Sequence, residues 1–346
     1  MLKFLGWMLT LLLVGAAVVA VIGTQRYLSP SPITENKIVI IAPGAGLTGI
    51  AEQLSYDQIV TDNWVFIAAT VISGKQTKLK AGEYEFAAHV KMREVLRKLA
   101  KGEIVNRSVT VREGLTSYQV IQLINQTEKL SGAPITDIPA EGTLLPETYQ
   151  FVSGDTRQDL VARMQKDMAD TLASLWALRA KDLPITTPEE AVTLASIVEK
   201  ETGIEVERRR VAGVFINRLK VGMKLQTDPT VIYALTKGIP EDDGKGPLGR
   251  RLLRKDLENT DSPYNTYMYA GLPPGPIANP GKASLIAVLN PEQHEFLYFV
   301  ADGKGGHVFA KTANEHEQNV VDWRKIRAQN AAPKPAAPAV VAPVTP

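Results

Sequence analysis

The stretch Thr186–Gly203, "TTPEEAVTLASIVEKETG", starts and stops like a helix. Thr187 can cap it, Pro188 suits the first helical position, and Glu190 falls three residues after Thr187, which makes a capping box. Gly203 closes it as a C-terminal breaker. At 100° per residue, Ala191, Leu194, Ala195 and Val198 share one apolar face. Glu199 falls on one shoulder of that face, beside Ala195 and Val192. Glu201 falls on the other, near Leu194 and Ile197, while Lys200 points away. Both glutamates sit in the last turn, where the helix dipole is negative and disfavours a carboxylate charge. Partial burial pushes the same way, toward a raised pKa. A carboxylic acid that keeps its proton near neutral pH is what a general acid requires. The plainer alternative is a solvated glutamate paired with Lys200 or with the run Arg208–Arg210. The helical wheel does not choose between the two glutamates.

Downstream, "VAGVFINRLKVGMKLQTDPTVIYAL" (Val211–Leu235) reads as a second helix ending at Gly222, a polar turn, and a further apolar run. The turn holds Gln226, Asp228 and Thr230. Fixed polar side chains between two helices suit the hydroxyls of a sugar; an ordinary capping turn with Thr227 or Asp228 is the alternative. Ser262–Leu285, "SPYNTYMYAGLPPGPIANPGKASL", is rigid, irregular and aromatic. Tyrosine faces can stack on sugar rings while Asn groups read hydroxyls. The residues from Phe296 to Ala301 and from His307 to Lys311 form a hairpin pattern. Its glycine-rich turn lacks the spacing of a phosphate-binding loop.

Upstream, "TRQDLVARMQKDMADTLASLWALRA" (Thr156–Ala180) spaces Leu160, Met164, Met168, Leu172 and Leu175 as a helix of several turns. Further back, the order is β-α-α-β-α: a strand at Lys37–Pro43, helices at Gly46–Leu54 and Asn63–Ile72, a strand at Leu79–Phe86 and an amphipathic helix at Lys91–Glu103. "SVTVREGLTSYQVIQLI" (Ser108–Ile124) echoes the first strand and helix and shares their Gly-Leu-Thr. Two copies do not make a repeat array. The β-α-α-β order resembles the LysM type of carbohydrate-binding module; a generic α+β lobe is the alternative.

At the N-terminus, "FLGWMLTLLLVGAAVVAVIG" (Phe4–Gly23) carries no charge and is long enough to cross a bilayer core. The expectation is an uncleaved anchor over residues 1–30, with the rest of the chain outside the cytoplasm. A cleaved signal peptide is the alternative, with Val18-Val19-Ala20 as a loose cleavage site. The last residues, 327–346, end in "AAPKPAAPAVVAPVTP" and are expected to be a disordered tail.

The 346 residues carry a formal charge of +2, no cysteine and four histidines without zinc-ligand spacing. Charge gives no case for nucleic acid, and no thiol chemistry is available. No metal and no cofactor is expected.

"LASIVEKET", "VFINRL", "LQTDPTVIY", "YNTY", "GLPPGPIANPG" and "LYFVADGKGGH", in that order, resemble the motifs of the YceG-like endolytic murein transglycosylases. The likeness spans roughly residues 37 to 325 and includes "GTLLPETY". It departs in the stretch between "TDPT" and "YNTY", which is longer here. The resemblance implies a single-pass inner-membrane protein with its catalytic domain on the periplasmic side. It implies an enzyme that cuts peptidoglycan glycan strands and terminates nascent chains, acting with the wall-synthesis machinery. It also implies that the first glutamate of "IVEKET", Glu199, is catalytic. Gln226, Asp228, Tyr264 and Asn265 are expected to orient sugar, with Thr230, Tyr233 and Asn279 as further candidates.

The chemistry fits that reading. Hydrolysis of a glycosidic bond usually needs two carboxylates, and the chain offers one strong candidate with Asp228 a weaker second. A lytic transglycosylase uses the 6-hydroxyl of N-acetylmuramic acid instead of water, so one carboxyl can act as acid and then base, leaving a 1,6-anhydro end. A muramidase-type hydrolase and a non-catalytic wall-binding scaffold are the alternatives. The expected fold is α+β: a membrane helix, a LysM-like lobe over 37–104, a connecting segment over 105–150, and a mixed α+β catalytic domain over 151–325 with a lysozyme-like helical active site.

Overall fold

The computed structural model describes residues 2–241 and 246–331. In chain order the elements are α1 (Leu2–Leu28), β1 (Lys37–Ile41), α2 (Leu47–Tyr56), α3 (Asn63–Ile72), β2 (Gly82–Phe86), α4 (Met92–Lys101), β3 (Arg107–Thr110), α5 (Ser117–Gln126), β4 (Thr148–Phe151), α6 (Arg157–Ala177), α7 (Pro188–Glu201), α8 (Glu205–Lys220), α9 (Asp228–Thr236), α10 (Arg254–Leu257), α11 (Lys282–Leu289), β5 (Tyr298–Ala301), β6 (His307–Ala310) and α12 (Ala313–Ala331). The fold is mixed α+β.

The chain forms two compact units. The first takes residues 1–109, 127–133 and 149–157. Its β1 and β2 pair antiparallel, with Lys37 opposite Phe86 and Ile41 opposite Gly82. Val39 and Ile41 point inward from β1, Tyr84 and Phe86 from β2, and all four are buried. Helix α4 buries Met92, Val95, Leu96 and Leu99, the spacing of one helical stripe. Arg107 grips Glu83 with two parallel hydrogen bonds of 2.7 and 2.8 Å. That guanidinium holds the Glu83 carboxyl below its ordinary value. Helix α1 runs five residues past the apolar stretch, to Leu28, and is long and apolar enough to cross a membrane.

The second unit takes residues 110–126, 134–148 and everything described after 157. The segment expected to connect two domains, 105–150, is thus shared between the units. At the centre of the second unit, α7 packs on α8, α9 and α11. Its capping box forms in both directions: Thr187 Oγ1 accepts from the Glu190 N–H, and the Glu190 carboxylate accepts from the Thr187 N–H. One apolar face was expected. Instead every residue from Ala191 to Val198 is buried, because neighbours pack on more than one side. The sequence tolerates this through small residues and local bonding. Ser196 Oγ donates to the Thr193 carbonyl at 2.7 Å and accepts from the Ile277 N–H at 3.0 Å.

The hairpin forms as expected, with Tyr298 opposite Ala310 and Ala301 opposite His307. Residues 327–331 of the expected tail are helical, as the end of α12. Residues 332–346, with the rest of the expected tail, lie outside the described residues, as do 242–245 in the long segment before "YNTY".

Candidate active site

Helix α7 ends at Glu201, and Thr202 then turns extended with φ −143°. The last turn therefore presents Glu199 and Glu201 in different directions, and each finds its own surroundings.

Glu201 lines a cavity of about 520 Å³ together with Arg218, Gln226, Asp228, Tyr267, Tyr298, His316 and Trp323. Thr227 sits at the N-cap position of α9, yet its side chain makes no capping bond there. Its hydroxyl donates to the Glu201 carboxylate instead. Burial raises the Glu201 pKa; the Thr227 bond opposes this, and the nearby Asp228 charge adds to it. Tyr267 Oη donates to Asp228 Oδ1 at 2.7 Å. Burial and the Asp228 charge push the Tyr267 phenol up, so it remains a donor. Arg218 forms the floor. Its Nε donates to the Leu297 carbonyl at 2.7 Å, and its guanidinium lies 5.6 Å from the Tyr298 ring centroid. Stacked on the other side of the wall, the His316 ring lies 5.2 Å from Tyr298. Burial and Arg218 lower its pKa, which keeps the imidazole neutral. Gln226 reaches the rim from a left-handed backbone, φ +51°, held by its N–H to the Thr266 carbonyl at 3.1 Å.

Glu199 has different surroundings. Its carboxylate Oε2 accepts from the Gly281 N–H at 3.0 Å and from Ser284 Oγ at 2.7 Å. Gly281 is the N-cap residue of α11 and has no side chain to cap with. Glu199 supplies that acceptor from another helix, where the α11 dipole favours a negative charge. Arg208 lies 3.7 Å from its other oxygen and 3.9 Å from Glu113. The Glu199 side chain is only 6% exposed. The expected grouping of Glu199 with Gln226 and Asp228 does not form. The helix turn places them with Glu201.

The other expected sugar ligands divide further. Tyr233 and Tyr264 line a second cavity of about 530 Å³, with Lys237, Asp256 and Asn259. Their rings stand 4.9 Å apart. The segment from Tyr264 to Tyr267 separates the two cavities, with one tyrosine facing each. Three expected ligands are buried and hydrogen-bonded within the protein. Thr230 is fully buried and bonds the Thr227 carbonyl and Thr266 Oγ1. Asn265 is buried; its amide donates to the carbonyls of Asp256, Leu257 and Asn259, and its oxygen accepts from the Tyr267 N–H. Asn279 is buried; its oxygen accepts from the Leu144 N–H and its amide donates to the Leu115 carbonyl and Ser117 Oγ. An Asn that satisfies loop backbone looks in sequence like an Asn that reads a hydroxyl, because both uses need one acceptor and two donors.

Tyr267 and Arg218 were not singled out. Tyr267 was present in "YNTY", and the two-residue offset from the anchoring Asn265 was its signal. Arg218 was present in "VFINRL", but its place near a helix end does not distinguish a floor from a solvated residue. Tyr298 was present in "LYFVADGKGGH"; His316 and Trp323 come from a distant element and had no local signal.

A family model described as the YceG-like family matches residues 39–322. A curated relative from Bacillus subtilis (strain 168), an endolytic murein transglycosylase, is 32% identical over 308 residues, which covers 80% of this chain and 82% of the relative. An endolytic murein transglycosylase from Streptococcus pneumoniae serotype 2 is 30% identical over 293 residues, 71% of this chain. The chain spans about half the length of that relative. A crystal structure of a YceG-like protein from Listeria monocytogenes is 29% identical and covers 82% of this chain and 98% of its own, with a TM-score of 0.49.

Proposed function

The chain belongs to the YceG-like family, and on that premise we propose that it is a membrane-anchored endolytic murein transglycosylase with Glu201 as its acid and base. The observation that carries the assignment is the clustering of Glu201 with Asp228, Gln226 and Tyr267 around one open cavity. The cavity has the volume of a ligand site. The names of the relatives support the substrate, the glycan strands of peptidoglycan.

In this reading Glu201 enters the reaction protonated, as its raised pKa favours. It gives its proton to the glycosidic oxygen that bridges N-acetylmuramic acid C1 to the next sugar. The C1–O bond breaks, and positive charge develops at C1. Asp228 is held by the Tyr267 hydroxyl and faces that charge from the same cavity. The muramic 6-hydroxyl then attacks C1 and surrenders its proton to Glu201. Atoms balance without water, the product ends in a 1,6-anhydro ring, and Glu201 is restored to its acid form. The tyrosine and tryptophan walls provide faces for neighbouring sugars. Gln226 reads a hydroxyl at the rim. Glu199 keeps a structural part as the cap of α11.

The remaining assignments follow from this reading. Helix α1 anchors the chain in the inner membrane with both units on the periplasmic side. The βααβ lobe is a LysM-like module that positions strands, and the cutting unit is lysozyme-like in presenting a glutamate at a helix end. The biological outcome is termination of nascent glycan strands beside the synthesis machinery. One second reading has an observation behind it: Asp228 shares the cavity with Glu201, and two carboxylates across one bond are the apparatus of a hydrolase.

Mass spectrometry of digested glycan strands tests the proposal. Anhydro ends are expected. Reducing ends would favour the hydrolase, and intact strands from well-folded protein would leave a scaffold.

A further inference from the structure

Helix α3 is apolar on nearly all sides. Its sequence, "NWVFIAATVI", has no charge. Such a helix is ordinarily buried throughout. Here Phe66 and Thr70 are buried in the lobe core, and Val65, Ile67 and Ala69 pack against it. The opposite stripe is bare. Trp64 is 73% exposed and Ile72 86% exposed; Ala68 and Val71 lie between them and are exposed too. Positions 64, 68, 71 and 72 fall at helical spacing on one face. A stripe of this kind marks a surface that something apolar covers.

The neighbour of α3 identifies what covers it. Helices α1 and α3 pack together within the first unit. A mostly apolar groove of about 770 Å³ runs between them, lined by Val19, Ile22, Gly23 and Tyr27 on one side and by Trp64, Val65, Ala68 and Ile72 on the other. A bilayer core of about 30 Å takes about 20 residues of helix. Counted from Phe4, that length ends near Gly23. The groove therefore lies where the span of α1 leaves the hydrocarbon, with Tyr27 and Trp64 at the depth that aromatic side chains prefer.

We infer that α3 is a second membrane contact: its Trp64–Ile72 stripe lies in the outer boundary of the phospholipid bilayer beside α1, and an acyl chain fills the groove between them. This rests on α1 being a membrane span. The lobe is then seated on the lipid surface by two elements, which fixes its orientation to the membrane more firmly than a single tether would.

The chain has no cysteine, so single labels are simple to introduce. The full chain is reconstituted in phospholipid vesicles with an environment-sensitive fluorophore at one of Trp64→Cys, Ile72→Cys, Val18→Cys in α1, or Glu52→Cys on α2. Each is quenched in turn by spin-labelled lipid and by aqueous iodide. Ala68→Cys, the mildest change, repeats the α3 reading if a larger replacement unfolds. The expected result is that positions 64, 68 and 72 behave like 18, with strong lipid quenching and a severalfold loss of iodide quenching relative to 52. If 18 is lipid-quenched while 64, 68 and 72 stay open to iodide, the α3 contact is overturned and the anchor stands. Protection of the α3 sites from both quenchers would mean that protein covers the stripe, which also overturns it. Iodide access at 18 would remove the anchor and this inference together.

Discussion

Two glutamates, two residues apart, meet opposite surroundings. The Glu199 carboxylate meets the Gly281 N–H, the Ser284 hydroxyl and Arg208. Glu201 is pushed toward its acid form because burial and Asp228 oppose its charge. Glu201→Gln should therefore lower turnover on the order of a hundredfold or more, with the melting temperature preserved. Glu199→Gln should do the reverse, losing stability because buried Arg208 keeps only the more distant Glu113, while its cutting persists; a purified Glu199→Gln protein that is stable but inert would transfer the chemistry back to that residue. The pH profile provides a separate check. An acid form that must donate is lost as pH rises through the folded pKa, so activity should fall on its alkaline side. Asp228→Asn removes one cause of the raised value, so the surviving activity should lose its alkaline limb at lower pH. Glu141 reports on stability. Burial raises it from 4.5 to about 7, so the folded chain holds its proton where the unfolded chain has released it. Stability is then fully present below 4.5 and declines up to about pH 7. Glu141→Gln keeps an acceptor for the Ser117 N–H, and its thermal melts should be flatter across that window than those of the wild type.

At the scale of elements, α7 is the part on which the site depends. Its N-terminal box was legible because capping is decided by four neighbouring residues. Thr187→Ala should cost about 1 kcal/mol in urea denaturation and leave kcat alone, since Glu201 sits at the other end. The loop that covers α7 is fixed by close approach. Gly142 has φ +76°, and a Cβ there would fall 2.6 Å from Val192 and 2.7 Å from Pro276. Gly142→Ala should destabilise by about 1–3 kcal/mol from overpacking, with strain at positive φ added; an unchanged denaturation midpoint would show that the loop yields. The sequence did not show that α7 would be buried on every side. Its wheel has Thr193 and Ser196 away from the apolar face, and only the partners of those hydroxyls, the helix backbone and the Ile277 N–H, make their burial possible.

For the whole molecule, the first claim is attachment. Helix α1 should keep the protein in the membrane fraction through high salt and release it only into detergent. N-terminal sequencing of mature protein that begins at or beyond Ala20 would end the anchor reading. The second claim concerns the wall: the strands that this protein cuts should carry anhydro ends, and the positioning lobe should matter more on long strands than on short oligomers.

Local physics made much of this chain readable in one dimension. The apolar span, the capping box, the hairpin and the βααβ order each depend on neighbours within a few turns, so hydrophobic period and turn chemistry reveal them. The motifs also gave the family, and with it the chemistry. What they did not give was which side chains meet. Thr230, Asn265 and Asn279 are polar residues in the motifs, yet folding engages them in hydrogen bonds to buried backbone and hydroxyl groups. Tyr233 and Tyr264 face one cavity and Tyr267 another, because the segment between them is a wall. The division between Glu199 and Glu201 was set by α11 arriving on one side of α7 and the α8–α9 turn on the other. Those approaches come from residues some 80 and 26 positions away, and no local pattern records them. A one-residue choice between two carboxylates is therefore a tertiary decision: it depends on where the N–H groups and charges of distant elements come to rest.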